Sequence, residues 1–194
     1  MSALPRLALG FVAGALSILI FDQATSFALN QLGLAQIPVY SLRPASPLGI
    51  PQIANQCLWG GLWGILFVIL WDRSSFQASG HALAIVFGIF AGALVWGATS
   101  LAFGDFRAIA VGVLFGALIA GLIALFGAGV LFGLLFGVMG PAMVNWVVLP
   151  VVRGQALFGG SGRIAVTAVI GAMFGLGMAV LLSLTARLAG GGRG

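Results

Sequence analysis

Lysine and glutamate are absent from this 194-residue chain, and its whole charge rests on eight arginines and three aspartates, 6% of the residues. A water-soluble domain carries roughly 25% charged residues, because charge is what its surface shows to solvent. That scarcity excludes an ordinary soluble fold. Cysteine and histidine occur once each, as Cys57 and His81. A single cysteine excludes an intramolecular disulfide. One His, one Cys and three dispersed Asp do not make the ligand set of a zinc or haem centre, so no metal and no cofactor are expected. There is no Gly-x-Ser-x-Gly elbow, phosphate-binding loop or His-Glu-x-x-His helix, and no enzymatic activity is expected. The net charge of +5 comes from arginines scattered singly, without a basic cluster. Nucleic acid is therefore not an expected partner, and arginines at helix ends reach to lipid headgroups instead.

What the chain has in quantity is apolar surface and glycine: 61% hydrophobic residues, 31 glycines and a mean hydropathy of +1.21. A bilayer core is crossed by about 20 apolar residues in a helix. Charges, prolines and polar clusters divide the sequence into an all-α polytopic transmembrane bundle of about six helices, one domain over 1–194. The expected helices are 5–30, 51–71, 80–103, 107–126, 129–152 and 163–188. The uncharged run between Arg107 and Arg153 is about twice a spanning length, so it holds two helices turning near Gly127 to Gly129. Pro141 is expected to kink the fifth helix. Arg6 followed by an apolar stretch imitates a signal peptide, but five further apolar segments point to an uncleaved first helix. The connection Pro38-Val-Tyr-Ser-Leu-Arg-Pro-Ala-Ser-Pro-Leu-Gly-Ile-Pro51 cannot be helical, since proline lacks the amide and restricts its predecessor. It either lies on the membrane surface as an extended linker or dips into the bundle.

Helices in lipid associate through close backbone contact at small residues. Each expected helix carries a Gly-x-x-x-Gly pair: Gly10/Gly14, Gly60/Gly64, Gly88/Gly92, Gly112/Gly116, Gly133/Gly137 (extended by Gly129) and Gly171/Gly175. Trp59-Gly-Gly-Leu-Trp-Gly64 and Phe132-Gly-Leu-Leu-Phe-Gly137 share one pattern on the second and fifth helices. Those are corresponding places in two three-helix halves, as an inverted repeat requires.

Polar residues inside such segments are the candidate site. Asp22, Ser26 and Asn30 recur every fourth residue and form one stripe, widened by Gln23 and Gln31. A carboxylate at this depth costs on the order of 3 kcal/mol on insertion scales. The stripe is either a protonatable or ion-coordinating site or a solvated face near the headgroups. Asn55 and Gln56 stand early in the second helix, where they meet the stripe if the two helices are neighbours. Asn145 follows Pro141 by four residues, where its amide can satisfy a carbonyl that the proline frees.

Phe21-Asp-Gln23, the proline-rich connection through Gln52, Leu58-Trp-Gly-Gly-Leu-Trp-Gly-Ile-Leu-Phe67 and Asn145-Trp-Val-Val-Leu-Pro-Val-Val-Arg-Gly-Gln155 together resemble a family of small proteobacterial inner-membrane proteins with no assigned activity. The resemblance runs from the first helix to the last and implies a bacterial inner membrane. The family pattern has His-Gln where this chain has Asp22-Gln23, which puts a requirement for the carboxylate in doubt. The expected function is that of a non-enzymatic structural or accessory membrane component, with membrane lipids and a second copy or a larger membrane complex as partners. The alternative is a small-solute or ion transporter or channel with a polar site around Asp22. Four arginines on each side of a six-helix topology leave the orientation open.

Overall fold

In the computed structural model of the chain, the described residues are 3–45, 49–73, 113, 117–118, 120–126, 129–142, 144–152, 154 and 161–190. They form α1 (Ala3–Ser17), a π turn (Ile18–Asp22) and α2 (Gln23–Gln31), then β1 (Pro44–Ala45), β2 (Ile50–Pro51) and α3 (Gln52–Arg73). After these come α4 (Gly129–Gly137), π turns Val138–Ala142 and Val144–Val148, α5 (Leu149–Val152) and α6 (Ser161–Gly190). The chain divides into two compact units, residues 1–74 with 132–194, and residues 75–131. In the second unit the described residues 117–118 and 120–126 are helical. The expected third helix, with His81, Gly88 and Gly92, lies outside the described residues, as do Gly112 and Gly116 of the fourth.

Three helices among the described residues are long and apolar enough to cross a membrane: Leu4–Gln31, Gln52–Arg73 and Val166–Arg187. The first comprises α1, the π turn and α2. The fifth expected helix is interrupted more deeply than by a single kink. Its α-helical bonding stops at Gly137 and gives way to two π turns. Pro141 lies in the first of them, where it has no amide to donate and the ladder must widen around it.

Among the described residues of the first unit, helices meet at two antiparallel glycine crossings. Along α1 and α3, a Cβ on Gly10 would stand 2.7 Å from the carbonyl oxygen of Gly64, and one on Gly14 would collide with that of Gly60. Between α4 and α6, Gly133 stands against the carbonyl of Gly175, and Gly137 against that of Gly171. Backbones this close leave no room for any side chain at these positions. Helix dispersion contacts and Cα–H···O contacts are thereby gathered along both seams. Arg6 and Asp72, both partly exposed, form an ion pair where α1 begins and α3 ends.

An aromatic ladder joins α3 to α4. Phe67, buried, meets Phe132 and Phe136 edge-on with centroids 5.1 and 5.3 Å away, and Trp63 meets Phe136 at 5.6 Å. Such pairs contribute about 0.5–1.5 kcal/mol each beyond their buried area. Ile18, Val68, Phe174, Met178 and Ala179 complete the core with Phe67.

These contacts pair off under one exchange. It swaps Gly60 with Gly133, Gly64 with Gly137, Gly10 with Gly171 and Gly14 with Gly175. Under it, Ile18 against Gly60 becomes Ala179 against Gly133, and Trp63 against Gly140 becomes Phe136 against Phe67. The exchange relates α3 to the antiparallel α4, and α1 to α6, so its axis runs across the helices. The two aromatic-glycine motifs thus occupy equivalent places. However, α3 packs on the span before it and α4 on the span after it, so the described seams do not follow the order-preserving inverted repeat of two three-helix halves.

Candidate functional site

The buried face of α1 runs through Gly10, Ala13, Gly14, Ser17 and Ile18 at ordinary helical spacing. Continued as an α-helix it would next include Phe21 and Thr25. The π turn Ile18–Asp22 takes in one extra residue, and the buried face resumes at Gln23, Ser26 and Leu29. The stripe expected at Asp22, Ser26 and Asn30 is therefore re-phased. Gln23 and Ser26 are buried, Asp22 and Asn30 are half-buried, and Gln31 is exposed.

Gln23 is the centre of the polar layer. Its Nε2 donates to Asp22 Oδ1 at 3.0 Å and to Gln56 Oε1 at 3.3 Å, while its Oε1 accepts from the backbone amide of Tyr40 at 2.7 Å. The expected meeting of the first and second helices through polar side chains thus occurs at Gln23 and Gln56. Tyr40 in turn donates its hydroxyl to the carbonyl of Leu19 at 2.7 Å, inside the π turn. A wide turn leaves a carbonyl without its usual α-helical amide, and the phenol supplies the missing donor. Thr25 Oγ1 donates to the Phe21 carbonyl at 2.6 Å in the same region.

Asn30 holds the start of the proline-rich loop with both ends of its amide. Nδ2 donates to the Ile37 carbonyl at 2.7 Å, and Oδ1 accepts from the Ile37 amide at 2.9 Å. The far end of the loop caps α3: the amides of Gln52 and Ile53 donate to the carbonyls of Arg43 and Ser41 at 2.9 and 3.0 Å. Helix-terminal amides have no partner of their own, so this capping satisfies two of them. Pro44 and Ala45 pair with Pro51 and Ile50 in a two-residue antiparallel ladder. Tyr40 takes φ of 48°, in the left-handed region that a bulky side chain rarely adopts. Its two hydrogen bonds into the polar layer hold it there.

Two further polar residues complete the picture. Ser17 is fully buried and donates from Oγ to the Phe174 carbonyl at 2.6 Å, linking α1 to α6. Its three-residue step from Gly14 is the sequence signal that would have singled it out. Asn55 is half-buried, and its Oδ1 is enclosed with no hydrogen-bond partner among the described residues. For Asn145 the structure gives the backbone, within Val144–Val148, and its side chain lies outside the described residues. Among those residues no group of three His, Cys, Asp or Glu is placed to hold a metal.

Chemically, the layer is a set of amides that satisfy one another and the loop backbone. The carboxylate of Asp22 is bonded at its rim rather than at its centre. No protein-family model, no curated protein and no solved structure matches the chain.

Proposed function

We propose that the chain is a multi-pass protein of the bacterial inner membrane with about six spans. In this reading it is a non-enzymatic structural or accessory component that packs with a second copy of itself or within a larger membrane complex. One observation carries the reading. The central polar side chain of the first unit, Gln23, has both ends of its amide engaged in holding α1, α3 and the loop together. Side chains used in this way build a scaffold, and the Gly-x-x-x-Gly seams beside them are the means by which helices pack in lipid. Gentle solubilisation and affinity purification of the full chain tests the proposal. A stoichiometric partner or a defined oligomer is expected, and a lone monodisperse monomer would count against it.

A second reading is favoured by Asn55, whose enclosed Oδ1 is an acceptor without a donor among the described residues. It is that of a small-solute or ion transporter with its polar site around Asp22. In proteoliposomes Asp22→Asn should then abolish a pH-dependent flux, and an unchanged flux would remove Asp22 from that role.

A further inference from the structure

The Arg6–Asp72 pair marks one edge of the apolar region at the start of α1 and the end of α3. Counting about 20 residues from it, the length that crosses a ~30 Å hydrocarbon core, brings the opposite edge level with Ser26 on the first rod and Gln52 on α3. The first rod is 28 residues long, or about 42 Å, and so projects beyond that edge. The loop does not stay outside with it.

Asn30 and Ile37 are bonded beyond the edge. Arg43 meets Gln52 at the edge itself, and Ser41 meets Ile53 one residue deeper. The Tyr40 amide sits at the level of Gln23, about 5 Å inside. Its hydroxyl reaches Leu19, about 10 Å inside. Non-helical backbone survives at membrane depth only if its polar groups are satisfied within the protein. The bonds of Ile37, Tyr40, Ser41 and Arg43 meet part of that demand, and Pro38 and Pro44 bring no amide to satisfy. Tyr40 is nevertheless 54% exposed and Leu42 74%, as are Ile20 at 51% and Phe27 at 55% on the adjoining helix.

We propose that the proline-rich loop is a re-entrant strap that enters the hydrocarbon region at Tyr40 and offers Tyr40 and Leu42 to the acyl chains of that leaflet, with Gln23 as its latch. The proposal rests on the membrane-spanning reading above, and its test separates the two. Single nitroxide labels at Val12→Cys, Leu42→Cys and Gln36→Cys, in a Cys57→Ala background, are placed in nanodiscs of phosphatidylethanolamine and phosphatidylglycerol. Collision rates with oxygen, which concentrates in lipid, and with a water-soluble nickel chelate are compared. Oxygen should dominate at Val12 and Leu42 and nickel at Gln36, with a ratio severalfold higher at Leu42 than at Gln36. A Leu42 label that matches Gln36 while Val12 stays in lipid overturns the strap alone. Shielding of Leu42 from both reagents overturns its contact with lipid. Nickel dominance at Val12 overturns the membrane reading and the strap with it. Adding Gln23→Leu should move the Leu42 label severalfold toward nickel, and no movement would remove Gln23 as the latch.

Discussion

The two glycine crossings of the first unit use the same device for different ends. The seam of α1 with α3 runs on, beyond Ser17 and Ile18, into an amide layer that anchors the loop. The seam of α4 with α6 runs on into two π turns around Pro141. At equivalent places beside them, the first seam has Ile18 and the second Ala179. Four glycines fix how close two helices come, and residues one or two turns farther on decide what that closeness serves.

Substitution at the seams should have the largest effects, because the neighbour at each is backbone and cannot move aside. Gly14→Leu and Gly137→Leu should each destabilise the protein by about 3 kcal/mol or more, at the upper end of overpacking costs. Unfolding in a mixed-micelle denaturant titration would measure both. Only Gly14→Leu should also free the loop, seen as faster proteolysis between residues 32 and 51, so equal loop release in both variants would collapse the distinction between the crossings. Gly61→Ala belongs to the same face but meets the ring of Phe11, a side chain that can swing, and should cost clearly less than either.

Next in size is Gln23→Leu, which leaves the Tyr40 amide and Gln56 without their partner. A loss of about 1–3 kcal/mol is expected in the same titration. Tyr40→Phe removes the single hydroxyl donated to Leu19 and should cost about 1 kcal/mol. The smallest effect belongs to Arg6→Ala. An exposed pair contributes about 0.2–1 kcal/mol and is screened by salt. Its effect should shrink in high salt while those of the Gln23 and Tyr40 variants persist. Asn55→Leu has the opposite expected sign. It removes an enclosed acceptor that has no donor among the described residues, so thermal stability should hold or rise slightly; a clear fall would show that the amide has a partner.

Much of this architecture was legible because solvent matching acts on composition. Boundaries at 5–30, 51–71 and 163–188 fall within a few residues of the observed Leu4–Gln31, Gln52–Arg73 and Val166–Arg187, since charges and prolines cut the apolar runs there. The meeting of the polar stripe with Gln56 was also readable from composition and order. The identity of the central residue was not. Spacing of four put Asp22 on the stripe, but a π turn changes phase without any residue type that announces it, and Gln23 took the buried place. The interruption after Gly137 was half legible: Pro141 signalled a disturbance, while its spread over two π turns depends on how the following chain repacks. The aromatic-glycine motifs were visible as a likeness. Their partners were not, because a Gly-x-x-x-Gly pair specifies a close neighbour without naming it.

The π turn in the first rod also bears on which changes of chain length the protein can accept. A residue deleted between Ile18 and Asp22 would restore an ordinary α-helix and keep everything after it in phase with Gly10 and Gly14, because the five residues of the π turn cover about the rotation of four α-helical ones. Gln23, Ser26 and Leu29 would then stay on the interior, whereas one residue more, with the π turn kept as it is, would turn all three by about 100°. The loop, tethered at both ends and closed by a two-residue ladder, can take insertions near Gly49 at small entropic cost. The first span can therefore lose the extra residue of its π turn but not gain another, and natural variation in length should accumulate in the loop and, as single-residue losses, at the π turn.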